Sequence, residues 1–242
     1  MMWTYLLILF AIAFFSSALP LLKPWNPRQL HLFIAFGAGV FLGAVFLHIL
    51  PEISHESGSR LPDLMVLAGF LGVLLIERVL FSQHERHCGH HCGHGHEVVG
   101  YSTFIGLAVH ALAEGLSLGL VLNNLTLAFP LFLAICSHKW IEAFSLTSVL
   151  QLAHLKKSST WLLALGFAAA APVAAVFGHF MAHAVPLSLL PAMEGLAGGT
   201  FLYVATCDLL PEAFHEGRGR VAPFICLSVG VAVMFGLGML WH

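Results

Sequence analysis

The stretch VGYSTFIGLAVHALAEGLSLGLVL, residues 99–122, is long and apolar enough to cross a membrane, yet it carries His110 and Glu114 near its centre. A helix rises about 1.5 Å per residue against a hydrocarbon core of about 30 Å. The next apolar stretch, AFPLFLAICSHKWIEAFSLTSVL at 128–150, repeats the arrangement with His138 and Glu142 and adds Lys139. In each stretch the His and Glu stand four residues apart, so on an α-helix they share a face and can close on one ion. Packed helices lie about 8–10 Å apart, and imidazole nitrogen and carboxylate oxygen bind Zn2+ at roughly 2.0–2.2 Å, so two helices can supply four ligands to one centre. A charge at mid-bilayer costs about 2.5–3.5 kcal/mol. Glu114, Glu142 and Lys139 therefore demand partners or a bound cation. His110, Glu114, His138 and Glu142 are expected as the metal ligands, with Lys139 setting the electrostatics of the site.

Composition agrees with a membrane setting: 59% of residues are hydrophobic, 9% are charged, and mean hydropathy is +0.90. A formal net charge of −2 gives no basic surface for nucleic acid. Apolar segments run over 2–22, 30–50, 63–81, 99–122, 128–150, 160–184, 187–210 and 221–241. These predict an all-α integral membrane protein of eight transmembrane helices in a single polytopic domain, 1–242. The first segment lacks a basic leader and a small-residue cleavage site and is expected to be retained rather than removed as a signal peptide. Lys23, Arg28, Arg78, Arg86, Lys156, Lys157, Arg218 and Arg220 all fall on one side if the N-terminus is outside, leaving only Arg60 on the other. By the positive-inside bias, both termini are expected outside.

The His/Cys-rich loop at 82–98 is then cytoplasmic. It holds His84, His87, Cys88, His90, His91, Cys92, His94 and His96. The spacing of Cys88 and Cys92 fits no structural zinc finger, so a weak, fluxional metal-chelating tract is expected.

Residues 41–56, FLGAVFLHILPEISHE, and 201–216, FLYVATCDLLPEAFHE, align at a constant offset, with Gly39 and Gly199 in register upstream. In the topology above the second helix runs outward and the seventh inward. The pair therefore reads as an inverted repeat, helices 1–3 against 6–8 around helices 4 and 5, an arrangement that places a transport site at the midplane. A shared helix-ending Pro sequence is the alternative, but Leu-Pro-Glu-x-x-His-Glu includes four residues uncommon in apolar helices. His48, Asp208, His215 and Glu216 are expected along the ion pathway. Glu52, Glu56 and Glu212 read equally well as interfacial charges.

Four motifs together resemble the ZIP family of zinc and iron transporters: HILPE at 48–52, HALAEG at 110–115, HKWIEAFS at 138–145 and EGLAGGTFLY at 194–203. The resemblance implies that helices 4 and 5 hold the transported ion, through His110, Glu114, His138 and Glu142. It implies further that these helices move against a scaffold, that transport is into the cytoplasm, and that the protein is a homodimer. Where some members bind a second adjacent metal, this chain has Ala111, Lys139 and Ala171, and a mononuclear site follows. The expected function is a divalent metal transporter in a plasma or inner membrane. Zn2+ is expected as its substrate, with Fe2+, Mn2+ and Cd2+ as further cargoes, and there is no cofactor and no enzymatic activity. An intramembrane zinc-dependent hydrolase is the competing class, but no HExxH helix is present and the repeat has no role in it. A non-transporting metal sensor fits the His-rich loop but not a charged centre in mid-membrane.

Among the remaining residues, His179 and His183 read as interhelical hydrogen-bonders. The glycines at 37, 39, 115, 119, 198 and 199 read as points of close helix approach. Asn124-Leu125-Thr126 matches a glycosylation sequon in a very short connection.

Overall fold

Asn26 shows why the second apolar segment starts where it does. Its side chain accepts from the backbone N–H of Arg28 at 3.1 Å, Gln29 returns a bond to the Asn26 N–H at 3.2 Å, and Pro27 opens the helix with its φ already set. Asn124 caps the fifth helix in the same manner, accepting from the Thr126 N–H at 3.2 Å, so the sequon residue serves here as an N-cap.

The computed structural model describes residues 2–23, 25–56, 59–81, 94–214 and 221–241, and no strand occurs among them. The helices are α1, Met2–Leu22; α2, Pro27–Ala44, continuing through Val45–Ile49 and Leu50–Glu56; and α3, Leu61–Ile76, continuing through Glu77–Phe81. They are followed by α4, His94–Val121; α5, Leu125–Leu152; α6, Lys157–Met181; α7, Leu190–Tyr203, continuing through Val204–Leu209 and Leu210–Ala213; and α8, Val221–Trp241. Seven of these are long and apolar enough to cross a membrane. The exception is α3, which the sequence reading counted as an eighth span; Asp63, Glu77 and Arg78 fall within its helical run. A second difference lies at α4, which begins at His94, inside the tract expected to be a loop.

Two π-helical turns mark α2 and α7 at corresponding places: Val45–Ile49 precedes Leu50-Pro51, and Val204–Leu209 precedes Leu210-Pro211. Proline has no N–H to give the carbonyl one turn back, and a widened turn is one way a helix absorbs that loss. The principal pairings are α4 with α6 and α7, α3 with α7, α2 with α8, α1 with α5 and α6, and α5 with α2 and α4. At the centre lies α5. Every residue from Ile141 to Leu150 is buried, the signature of a helix surrounded by other helices.

Backbones approach closely where the sequence places small residues. A Cβ added at Gly39 would collide with the carbonyl of Leu227 on α8, and one at Gly199 with the carbonyl of Val66 on α3. Likewise, Gly115 lies on the carbonyl of Ala171 and so sets the spacing between α4 and α6. Gly72, by contrast, has open space around it. Gly39→Ala and Gly199→Ala are expected to cost about 1–3 kcal/mol through forced helix separation. Gly72→Ala should be neutral or stabilising by up to ~1 kcal/mol. Thermal denaturation of the purified variants in detergent checks the contrast.

Candidate metal centre

Helices α4 and α5 are joined by the short connection 122–124 and so run antiparallel side by side. The four-residue spacing turns His110 and Glu114 of one toward His138 and Glu142 of the other. All four side chains are at least nine-tenths buried, or nearly so: His110 is 1% exposed, Glu114 8%, His138 9% and Glu142 0%. One ligand atom from each can be chosen so that all lie within 4.8 Å of one another, and no other such group of His, Cys, Asp and Glu occurs among the described residues.

The individual spacings suit one ion. His110 Nε2 lies 2.9 Å from Glu114 Oε1 and 3.6 Å from Glu142 Oε1, while His138 Nε2 lies 2.5 and 3.3 Å from the same two oxygens. A tetrahedral ion with bonds of 2.0–2.2 Å holds its ligand atoms roughly 3.3–3.5 Å apart, so modest adjustment seats it.

Hydrogen bonding strengthens the assignment. His110 Nδ1 donates to the carbonyl of Ala197 on α7 at 2.9 Å. In the neutral ring, Nε2 then carries a lone pair, and that lone pair faces two carboxylate oxygens. Glu114 Oε1 is reached by His138 Nε2 at 2.5 Å, whereas His110 Nε2 and Glu142 Oε1 face each other 3.6 Å apart. His110 Nε2 and Glu142 Oε1 are both buried and make no hydrogen bond. A cation resolves this convergence. An imidazole oriented through its far nitrogen by a carbonyl is also the usual condition of a metal-ligating histidine.

Lys139 occupies the far side of the carboxylates. Its Nζ donates to Glu114 Oε2 at 3.0 Å and to Glu142 Oε2 at 2.8 Å, and it lies 5.0 Å from the ring centroid of Phe167 on α6. Each carboxylate thus gives one oxygen to Lys139 and turns the other toward the imidazoles. With neutral imidazoles, the two carboxylates and the ammonium carry net −1, a balance that one divalent cation reverses to +1.

The residues expected along the ion pathway lie away from the centre. His48 Nε2 donates to the carbonyl of Met234 at 3.0 Å, and its ring packs over Gly238 on α8. Asp208 is buried, accepting from Thr103 Oγ1 at 3.0 Å, with Ser102 Oγ 3.5 Å from its other oxygen. Ser102 Oγ also donates to Glu77 Oε2 at 3.0 Å, and the same oxygen accepts from Tyr203 OH. This cluster of α3, α4 and α7 groups was only partly legible in the sequence. Of its members only Asp208 stands out in the sequence. A second pair was missed altogether: His31 Nδ1 donates to Pro27 O at 2.7 Å, and its Nε2 lies 3.5 Å from Glu212 Oε1.

His215, Glu216, His84, His87, Cys88, His90, His91 and Cys92 lie outside the described residues. His94 and His96 stand on the first turn of α4, and only their backbone is described. His179 Nδ1 is buried without a hydrogen bond, so the interhelical bond expected there is not made at that atom. Two further buried hydroxyls make no hydrogen bond: Ser117, one turn after Glu114, and Ser145, one turn after Glu142.

Comparison with known proteins gives consistent matches. The family model described as ZIP zinc transporter matches residues 1–96 and 81–238. Zinc transporter ZIP1 of Takifugu rubripes is 29% identical over 261 residues, covering 87% of this chain and 85% of that protein. The protein of the same name from Danio rerio is 26% identical over 249 residues, covering 84% and 82%. Human zinc transporter ZIP2 is 27% identical over 268 residues, covering 85% and 84%. With the family model spanning nearly the whole chain and the relatives matched along most of their length, this protein belongs to the ZIP zinc transporter family.

Proposed function

We propose that the protein carries Zn2+ across a membrane into the cytoplasm through one metal-binding centre made of His110, Glu114, His138 and Glu142. One observation carries this reading. His110 Nε2 and Glu142 Oε1, both buried and without a hydrogen bond, face each other 3.6 Å apart beside Glu114 Oε1 and His138 Nε2, an arrangement that a divalent cation satisfies. The relatives' names as zinc transporters agree with it. Fe2+, Mn2+ and Cd2+ are further cargoes for the same N/O donor set, which binds several divalent ions and selects among them by geometry and availability.

Lys139 makes the centre mononuclear. Its ammonium stands on the two carboxylate oxygens that a second cation would need, and at short range in a low dielectric it repels that cation. It also keeps the carboxylates from facing each other uncompensated when no cargo is bound.

An inverted repeat supports transport. Exchanging α1 with α6, α2 with α7, α3 with α8 and α4 with α5 maps the principal helix pairings onto one another: α2·α8 onto α7·α3, α4·α6 onto α5·α1, and α4·α7 onto α5·α2. The correspondence reaches individual glycines. Gly39 meets Leu227 O while Gly199 meets Val66 O, and Gly230 meets Phe36 O while Gly69 meets Leu196 O. In this reading α3 is an eighth span, both termini lie outside, and the protein is a homodimer in a plasma or inner membrane. Helices α4 and α5 carry the ion past the paired repeats. Ser117 and Ser145, on opposite sides of the centre because α4 and α5 are antiparallel, line its approach and departure. His48 serves the outer part of the path and Asp208, His215 and Glu216 the inner part. The residues from His84 to His96 chelate ions loosely in the cytoplasm.

Two outcomes are expected. In liposomes of known protein orientation, His110→Ala and Glu142→Ala should abolish saturable zinc flux at wild-type incorporation; retained flux in both would refute the assignment of the centre. Lys139→Met removes the ammonium and leaves two buried carboxylates exposed to each other, a loss of about 3–5 kcal/mol for the metal-free protein. Added Zn2+ should restore more thermal stability to this variant than to the wild type, measured by denaturation with and without zinc.

A further inference from the structure

Helix α7 supplies no ligand to the centre, yet one turn of it grips a ligand from two sides. Ala197 O takes the Nδ1–H of His110 at 2.9 Å, and four residues on, the Phe201 ring stacks on the same imidazole with centroids 3.3 Å apart and planes 14° apart. The Phe201 ring also stands edge-on to His138, at 5.5 Å and 75°, so one side chain walls both imidazoles. Behind it lies Phe41 of α2, stacked at 4.5 Å and 6°. Both phenylalanines are fully buried. They are also the equivalent positions of the two repeated stretches, FLGA at 41 and FLYV at 201, and so meet where the repeats face each other.

We propose that Ala197 O and Phe201 form a clamp that makes His110 a high-affinity ligand only while α4 lies against α7, with Phe41 holding the Phe201 ring in place. The carbonyl selects the tautomer whose Nε2 can bind metal, and the ring fixes the imidazole plane so that Nε2 points at the Glu114 and Glu142 oxygens. Neither group touches the ion. Phe201 is thus a positioning residue. The proposal rests on the transport reading in one respect: when α4 and α5 shift relative to α7, the bond and the stack part together, His110 is freed to rotate, and the ion is held less tightly. The clamp thereby couples affinity to helix position.

The test compares Phe201→Leu, which keeps apolar bulk but loses the flat ring, with Phe201→Tyr, which keeps the ring. Zinc affinity of the purified full chain is measured by competition with a chelator, and KM and Vmax by flux into liposomes. Phe201→Leu should raise Kd and KM by about 10–100-fold, the usual consequence of removing an orienting partner. Vmax should hold or rise, because release no longer requires the clamp to open, and Phe201→Tyr should behave as the wild type. Should Phe201→Leu fail to give a monodisperse protein, Phe201→Met poses the same question. Wild-type affinity in the ring-less variant would overturn the clamp, as would a fall in Vmax at unchanged Kd, the pattern of a merely structural role. Absence of wild-type flux would instead count against the transport reading and leave the affinity comparison standing.

Discussion

Burying Glu114, Glu142 and Lys139 together, inside helices that are otherwise apolar, is the constraint on which the rest of the structure depends. Ionised groups taken out of water lose several kcal/mol each unless geometry compensates them. Compensation here is divided cleanly. One oxygen of each carboxylate is spent on Lys139, and the other faces the two imidazoles. That division requires α4 and α5 to be adjacent, antiparallel and in one register. It also requires both to be enclosed, which explains why α5 is buried on all sides from Ile141 onward.

Small residues let the helices close around the centre, and Phe201, Phe41 and Phe167 wall it. Gly115 sets α4 directly on the backbone of α6, and Gly39 and Gly199 seat α2 and α7 on α8 and α3. In an apolar solvent, helix association gains from close backbone approach rather than from hiding hydrophobic side chains, so glycine at these contacts does what leucine does in a soluble core. The paired contacts also explain why two stretches so far apart in the chain resemble each other. Each must present a small residue to one neighbouring helix, a phenylalanine to the other stretch, and a widened turn ahead of its Leu-Pro.

The polar groups away from the centre divide by what they touch. Asp208 and Glu77 share Ser102, with Thr103 and Tyr203 completing the shell, whereas His48 is engaged by α8. His48 and Asp208, which stand at matching places in the two similar stretches, are therefore held in different chemical surroundings.

The sequence by itself singled out the four candidate ligands and Lys139, because a carboxylate or ammonium in mid-membrane has few explanations and the i, i+4 spacing leaves one face for the pair. It also determined the helical character of the chain, which follows from composition, and marked glycines such as Gly39, Gly115 and Gly199 as points of close approach without naming the helices they meet. Only the tertiary structure decided which nitrogen of His110 faces the carboxylates, since that depends on Ala197, 87 residues away in the chain. It alone decided that Phe201 walls the two imidazoles, that Asp208 answers to Glu77, Ser102 and Thr103, and that His31 meets Glu212. The physical reason is common to all of these. Helical periodicity states which face a side chain occupies, but the partner on the opposing face belongs to another helix, and only packing brings the two together.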